Sequence, residues 1–177
     1  IARMKHHDDL LDLTSGSEVP VINGCCDRYH PCQALGDLLT IAEVRGGLAG
    51  AHVVYTGILN NVANSLIVAC SKTGVRITTV TPETNPASED NALLEAARAT
   101  GFFHETLDLK SAVSDADFIY TDTWIDMEFF FDADYQEEKE RRIKAFESYQ
   151  INSALLESTD AYVMHCLPAH KGYEVTA

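Results

Sequence analysis

The sequence predicts an α/β fold, a doubly wound parallel sheet with helices on both faces. Three observations predict it. Segments of β-type apolar character alternate with segments whose apolar residues recur at helical spacing. The strand candidates are near-continuous apolar runs, as strands buried on both faces require. The breakers fall between the periodic segments, with no internal repeat and no low-complexity tract.

The elements follow in order. Residues 8–13 read as a short helix stopped at Ser15-Gly16-Ser17, and 19–23 as a short β-type run containing Pro20. Cys25 to His30 form a loop into a helix that Pro31 can open, because its missing N–H has no helical partner at that position. The stripe Ala34, Leu35, Leu38, Leu39, Ile41 and Ala42 predicts that helix's buried face, and Gly46-Gly47 stops it. A strand over 52–57, a loop over 58–61 and a helix over 62–72 come next. A strand over 75–81, a turn over 82–88 and a helix over 89–100 follow. Residues 102–107 suit a short strand and 109–114 one helical turn. A strand over 117–122 precedes a charged helix over 135–149. A short helix over 154–158, capped by Asn152 or Ser153, leads to a last strand over 161–167, ended by Pro168.

At 177 residues the chain is about one domain's worth. With 13 Lys+Arg against 27 Asp+Glu its net charge is −14. A polyanion is repelled by nucleic acid and by anionic membranes, so neither is expected as a partner. Any anionic ligand must be held by local donors. No run approaches the ~18 apolar residues of a membrane span. The cysteines at 25, 26, 32, 70 and 166 are odd in number and form no CxxC, which suits a reducing compartment. A cytoplasmic location is expected, or a mitochondrial one if a transit peptide preceded this stretch. The opening on Ile1 suggests a chain cut from something longer.

In such sheets ligands bind at the C-terminal ends of the strands. Those ends carry Gly57-Ile58-Leu59-Asn60-Asn61, Thr81-Pro82-Glu83-Thr84, Thr121-Asp122-Thr123-Trp124 and His165-Cys166-Leu167-Pro168. At the first, Asn61 and the helix N-terminus could hold a carboxylate or phosphate, or Asn60 or Asn61 could simply cap the helix. The pattern is not GxGxxG, so a dinucleotide is not expected, and no cofactor is. His30-Pro31-Cys32-Gln33 opens a helix where His and Gln could donate to a carbonyl or phosphate oxygen, or merely start the helix. Asp122 could bind an ammonium group or be solvated. Cys166 could be a nucleophile, a polar substrate contact or a small buried hydrophobe. The histidines lack ligand spacing, so no metal is expected. The acidic stretch 126–140, with Phe129-Phe130-Phe131 inside it, reads as a solvated helix with one buried aromatic, a flap over the site, or a partner contact.

Four segments in this order resemble the carbamoyltransferase family, nearest its ornithine-specific branch. They are 19–24 leading to His30-Pro31-Cys32-Gln33 and on to Ile41, then Asn60-Asn61, then Tyr120 to Trp124, then His165-Cys166-Leu167-Pro168 to Gly172. Residues 142–152 are similar too, so the resemblance covers nearly the whole chain. It implies a Rossmann-like carbamoyltransferase domain. It implies transfer of carbamoyl from carbamoyl phosphate to the δ-amine of L-ornithine, giving citrulline and phosphate, in a homotrimer or a multiple of it. It places residues 1–33 in the tail of a carbamoyl-phosphate domain with the start of an interdomain helix, and 34–177 in an ornithine-binding domain. It puts His30, Pro31, Cys32, Gln33, Cys166 and Leu167 at the carbamoyl phosphate, with His30, Gln33 and Cys166 catalytic. It puts Asn61, Asp122, Asp126 and Met127 at the ornithine.

The chain departs from the family's pattern in three ways. A Ser-Thr-Arg-Thr-Arg phosphate-gripping motif and a C-terminal Arg-bearing segment are absent, so no turnover is expected from these 177 residues alone. The family's Gly-Asp-Gly is Gly57-Ile58-Leu59, and its Ser-Met-Gly is Asp126-Met127-Glu128. A carboxylate at 126 would repel the α-carboxylate of ornithine unless it turns away or pairs with the α-ammonium. A diamine acceptor such as putrescine is therefore the alternative, and a catalytically silent binding or regulatory domain is the third reading.

Overall fold

The computed structural model describes residues 1–126 and 129–176. In chain order the elements are β1 (Ala2–Arg3), α1 (His7–Ser15), β2 (Asn23–Cys25), α2 (Pro31–Arg45), β3 (His52–Leu59), α3 (Asn61–Thr73) and β4 (Arg76–Thr84). Then come α4 (Asn91–Arg98), β5 (Phe103–Glu105), α5 (Leu109–Ala112), β6 (Phe118–Thr121), α6 (Gln136–Phe146), α7 (Ser153–Leu156) and β7 (Tyr162–His165). The main sheet is parallel and five-stranded, in the order β5–β4–β3–β6–β7. The chain steps outward from β3 to β4 and β5, then returns to the other edge of β3 for β6 and β7. That reversal is the doubly wound arrangement, and it puts the topological switch point between β3 and β6.

The described residues form two compact units, and neither is one continuous stretch. The first comprises Ile1–Ala51, Leu59–Ile77 and Thr84–His104, the second His52–Ile58, Thr78–Glu83 and Glu105–Ala177.

In the first unit α2 packs on α3, and α3 on α4. Helix α3 begins where the Asn60 side chain accepts from the backbone N–H of Val62 and of Ala63, both at 3.1 Å. It ends at Gly74, whose left-handed φ of 74° lets the chain turn away without a Cβ clash. The predicted face of α2 needs correcting. Ala34, Leu38 and Ile41 are buried, but Leu35 and Leu39 are 65% and 60% exposed. The buried face includes Asp37, because Gln33 Nε2 donates to its Oδ1 at 3.0 Å. The strand expected over 19–23 falls later, at β2. Its partner β1 pairs Ala2 with Asn23 and Arg3 with Cys25, and Pro20 has no N–H to give a ladder.

In the second unit β3, β6 and β7 are in parallel register: Thr56 beside Thr121, and Thr121 beside His165. Val54, Val80, Leu109, Val113, Ile119 and Ile151 form one core cluster. Ile58, Trp124, Ile125 and Phe146 form a second. Ile58 is only 3% exposed, so its apolar side chain is accounted for by this packing. The charged helix begins one residue late, at Gln136, and passes into a 3-10 turn at Glu147–Tyr149. Among the described residues no helix is long and apolar enough to cross a membrane, and no cysteine forms a disulfide.

Candidate functional site

The predicted site residues fall into two groups, one in each unit. In the first unit Pro31 occupies the first turn of α2 and His30 its N-cap, without a side-chain cap bond. The His30 backbone N–H donates to Ser65 Oγ at 2.7 Å. Cys32 is exposed, and its thiol donates to the Asn23 carbonyl at 3.4 Å. Gln33 is engaged by Asp37, as above. The loop before α2 is tied down at Tyr29, whose hydroxyl donates to Asp90. Burial, then that hydrogen bond, pushes the Tyr29 phenol up to about 12. Asn64, which the sequence did not single out, is 1% exposed and donates to the carbonyls of Arg28 (3.0 Å) and Ser88 (2.6 Å). Of the two asparagines read as caps, Asn60 does the capping. Asn61 donates to the Cys26 carbonyl at 2.6 Å, and its Oδ1 accepts from the Val62 N–H at 3.0 Å.

The second unit builds the other group at its strand ends. Because Thr121 lies beside His165, the next residues, Asp122 and Cys166, emerge side by side. The Cys166 thiol donates to Asp122 Oδ1 at 2.8 Å, and the Thr123 N–H donates to the same oxygen at 2.7 Å. Asp122 is nearly buried at 8% exposure. Below them the fully buried Tyr55 hydroxyl donates to the Ile58 carbonyl at 3.1 Å. Its pKa is pushed well up, first by burial, then by Asp122, Cys166 and Asp126.

Leu167 takes a left-handed φ of 58°, a conformation that costs a residue with a Cβ about 1–2 kcal/mol. It is held there by its own N–H, which donates to His165 Nδ1 at 2.8 Å. That bond assigns the imidazole proton to Nε2, which lies 3.2 Å from Glu174 Oε1. Glu174 is fully buried. Sequence reasoning missed Glu174, since nothing in the pattern of Lys171 to Thr176 marks a buried acid. Asp122, His165 and Cys166 offer donor atoms within 4.8 Å of one another. Both His165 nitrogens and the Cys166 thiol are engaged within the protein, in one hydrogen-bonded network with Asp122, Leu167 and Glu174.

Asp126 does turn toward a cation. Its Oδ2 lies 4.0 Å from Nη1 of Arg142, which also donates to the Trp124 carbonyl at 3.1 Å and, through Nε, to Glu138 Oε1 at 3.0 Å. Arg142 is another residue that sequence reading left without a role. Met127 lies outside the described residues. Of the three phenylalanines in the acidic stretch, Phe129 and Phe130 pack against the Trp124 cluster, while Phe131 is 93% exposed.

With this geometry in hand, similarity to known proteins is informative. Residues 49–177 match the family profile described as aspartate/ornithine carbamoyltransferase, Asp/Orn binding domain. Residues 1–43 match its carbamoyl-P binding domain. The chain is 43% identical over 177 residues to the ornithine carbamoyltransferase of Haloquadratum walsbyi, covering 99% of this chain and 56% of that one. It is 44% identical over 181 residues to the anabolic ornithine carbamoyltransferase of Pyrococcus furiosus, covering 99% and 56%. The solved Pyrococcus furiosus structure aligns with a TM-score of 0.85 at 41% identity, over 98% of this chain and 55% of that one. The Thermus thermophilus ornithine carbamoyltransferase structure aligns with a TM-score of 0.80 at 37% identity, over 98% and 54%. The chain thus spans about half the length of the relatives it matches.

Proposed function

The chain belongs to the aspartate/ornithine carbamoyltransferase family, and from that premise we propose that it carries the acceptor side of a carbamoyl transfer to L-ornithine. The observation that carries the reading is the Cys166 thiol hydrogen-bonded to Asp122 at the C-terminal ends of β6 and β7. In the reaction the δ-nitrogen bonds to the carbamoyl carbon, the carbon–oxygen bond to phosphate breaks, and the nitrogen sheds a proton. The chemistry calls for an amine held in line and a route for that proton. A buried carboxylate holds an ammonium group, and a thiol beside it can orient the amine or relay the proton. No covalent enzyme intermediate is required, so Cys166 need not be a nucleophile.

His30 and Gln33, at the start of α2, are the groups we assign to the carbamoyl phosphate, with Pro31, Cys32 and the Leu167 backbone. Asn61, Asp122, Asp126 and Met127 are those we assign to ornithine. The identity of about 40% to proteins named for ornithine supports that acceptor. So does Asp126, because its carboxylate faces Arg142 and its repulsion of an α-carboxylate is reduced. A trimer, a role in arginine metabolism and a reducing, cytoplasmic setting complete the proposal, and light scattering tests the first.

The decisive experiment is a chimera in which this chain replaces the matching half of the Pyrococcus furiosus relative. Citrulline should form from carbamoyl phosphate and ornithine, with Cys166→Ala and Asp122→Asn each lowering kcat by about 10²-fold or more. A chimera that folds and carbamoylates putrescine faster than ornithine overturns the acceptor assignment. One that carbamoylates neither, while binding ornithine, favours a silent binding domain.

A further inference from the structure

Phe130 sits in an unusual place for a residue of an acidic surface stretch. Its ring lies flat on the imidazole of His170, with centroids 3.9 Å apart and planes 8° from parallel. On its ring also sits the Lys139 ammonium, 3.9 Å from the centroid, which donates to the Phe130 carbonyl at 3.1 Å as well. Tyr173 meets the same ring edge-on at 5.4 Å. Three separate segments, 129–135, α6 and the loop after β7, are thus pinned at one ring. A lysine over an aromatic face contributes about 0.5–1 kcal/mol at an exposed site and more as water is excluded.

The contact continues inward. His170 Nδ1 is 2.9 Å from the Thr123 hydroxyl, and that hydroxyl donates to the Ile125 carbonyl at 2.7 Å. With its one proton so engaged, the hydroxyl is the acceptor and His170 the donor. Thr123 in turn gives its N–H to the oxygen of Asp122 that receives the Cys166 thiol. The backbone N–H of His170 is held by Glu174, the partner of His165. The series Lys139, Phe130, His170, Thr123, Asp122, Cys166 is therefore continuous.

We propose that Phe130 is a positioning residue: wedged among Lys139, His170 and Tyr173, it fixes His170 and, through the Thr123 hydroxyl, holds Asp122 within bonding distance of the Cys166 thiol. Its relevance to catalysis rests on the reading of Asp122 and Cys166 as the acceptor site. The geometric claim does not, and it can be tested without turnover.

The test is the alkylation rate of Cys166 by iodoacetamide in the folded 177-residue chain, followed site by site by peptide mass spectrometry. A thiol held by a carboxylate alkylates slowly, because its proton is retained and its thiolate is disfavoured beside a negative charge. Asp122→Asn removes that negative charge and should speed Cys166 alkylation by about threefold or more. Phe130→Ala should speed it too, by part of that amount. The double variant should be no faster than Asp122→Asn alone, since both act through the same bond. Phe130→Tyr, which keeps the stacked face, should restore the wild-type rate. Simple loosening of the loop would instead make the two effects multiply. Multiplying effects, or Phe130→Ala alkylating at the wild-type rate, overturns the proposal. If Phe130→Ala does not fold, Lys139→Met takes its place in the cycle, and the same two outcomes overturn the proposal there. A failed carbamoyl transfer in the chimera leaves these rates unchanged, so the two readings fail separately.

Discussion

Gly57 shows how much one position can impose. It lies in β3 at the switch point with φ of +125°, a region that side chains rarely adopt. A Cβ there would make only ordinary contacts, 3.6 Å from Thr121 Oγ1 and 3.7 Å from the Trp124 ring. The obstacle is backbone conformation, and Gly57→Ala should cost about 1–3 kcal/mol in a denaturant titration. A cost near zero would mean that the turn relaxes. The cysteines give a second single-residue prediction. Cys70 is fully buried, and burial, followed by the charge of Asp37, pushes its thiol up to about 12. Cys32 is exposed. In the native protein at pH 8, Cys32 should alkylate and Cys70 stay intact. Reaction of Cys70 before global unfolding would show that α3 opens locally.

At the scale of elements, helix α3 depends on the residue that caps it. Asn60 accepts two backbone N–H groups that would otherwise lack a helical partner. Asn60→Ala should therefore lower stability by about 1 kcal/mol. The same substitution at Asn61, which satisfies Cys26 from outside the cap, tests a loop tether instead. Helix α2 offers a matched pair. Leu38 is 5% exposed and Leu35 65%. Leu38→Ala should cost about 2–5 kcal/mol, and Leu35→Ala no more than about 0.5 kcal/mol. Equal costs at the two positions would contradict the observed face of α2.

At the scale of the molecule, stability should form a plateau bounded by groups that can be named. On the acid side, Glu83 and Glu138 are held below the usual carboxylate range by hydrogen bonds from Arg141, Glu138 to about 2, and Asp90 by the bond from Tyr29. A depressed carboxyl stabilises above its unfolded pKa of about 4 and loses that contribution as pH falls through its folded value. Tm should therefore decline from about pH 4 toward pH 2. The per-group effect is modest, because Glu138 is 35% and Arg141 49% exposed in their side chains. On the alkaline side the signs reverse. Cys70, Tyr29 and Tyr55 are raised, so they stabilise below their unfolded pKa values and lose this as pH rises. The decline should begin near pH 8.5, where an unfolded thiol ionises, and steepen above about pH 10. Cys70→Ala should delay its onset toward the tyrosine range, and an unchanged onset would exclude Cys70 as the cause.

Much of this protein is legible in its residues alone. The alternation of apolar runs and helical periods specified a parallel α/β sheet, since local periodicity is a property of neighbours in sequence. The segments His30-Pro31-Cys32-Gln33 and His165-Cys166-Leu167-Pro168 pointed to the family. What the periodicity missed is instructive. It counts Leu35 and Leu39 into the core because Leu35 is spaced three residues from Leu38 and four from Leu39, but a repeat does not say which side meets a neighbour. It placed a strand around Pro20, because the partner that selects β2 lies at the first residues of the chain. The juxtaposition of Asp122 with Cys166, of Phe130 with His170 and of Asp126 with Arg142 was decided only by the tertiary structure. Each joins residues far apart in sequence through a strand register or a loop packing. Register depends on which faces can be buried together, a property of the folded whole rather than of any one segment.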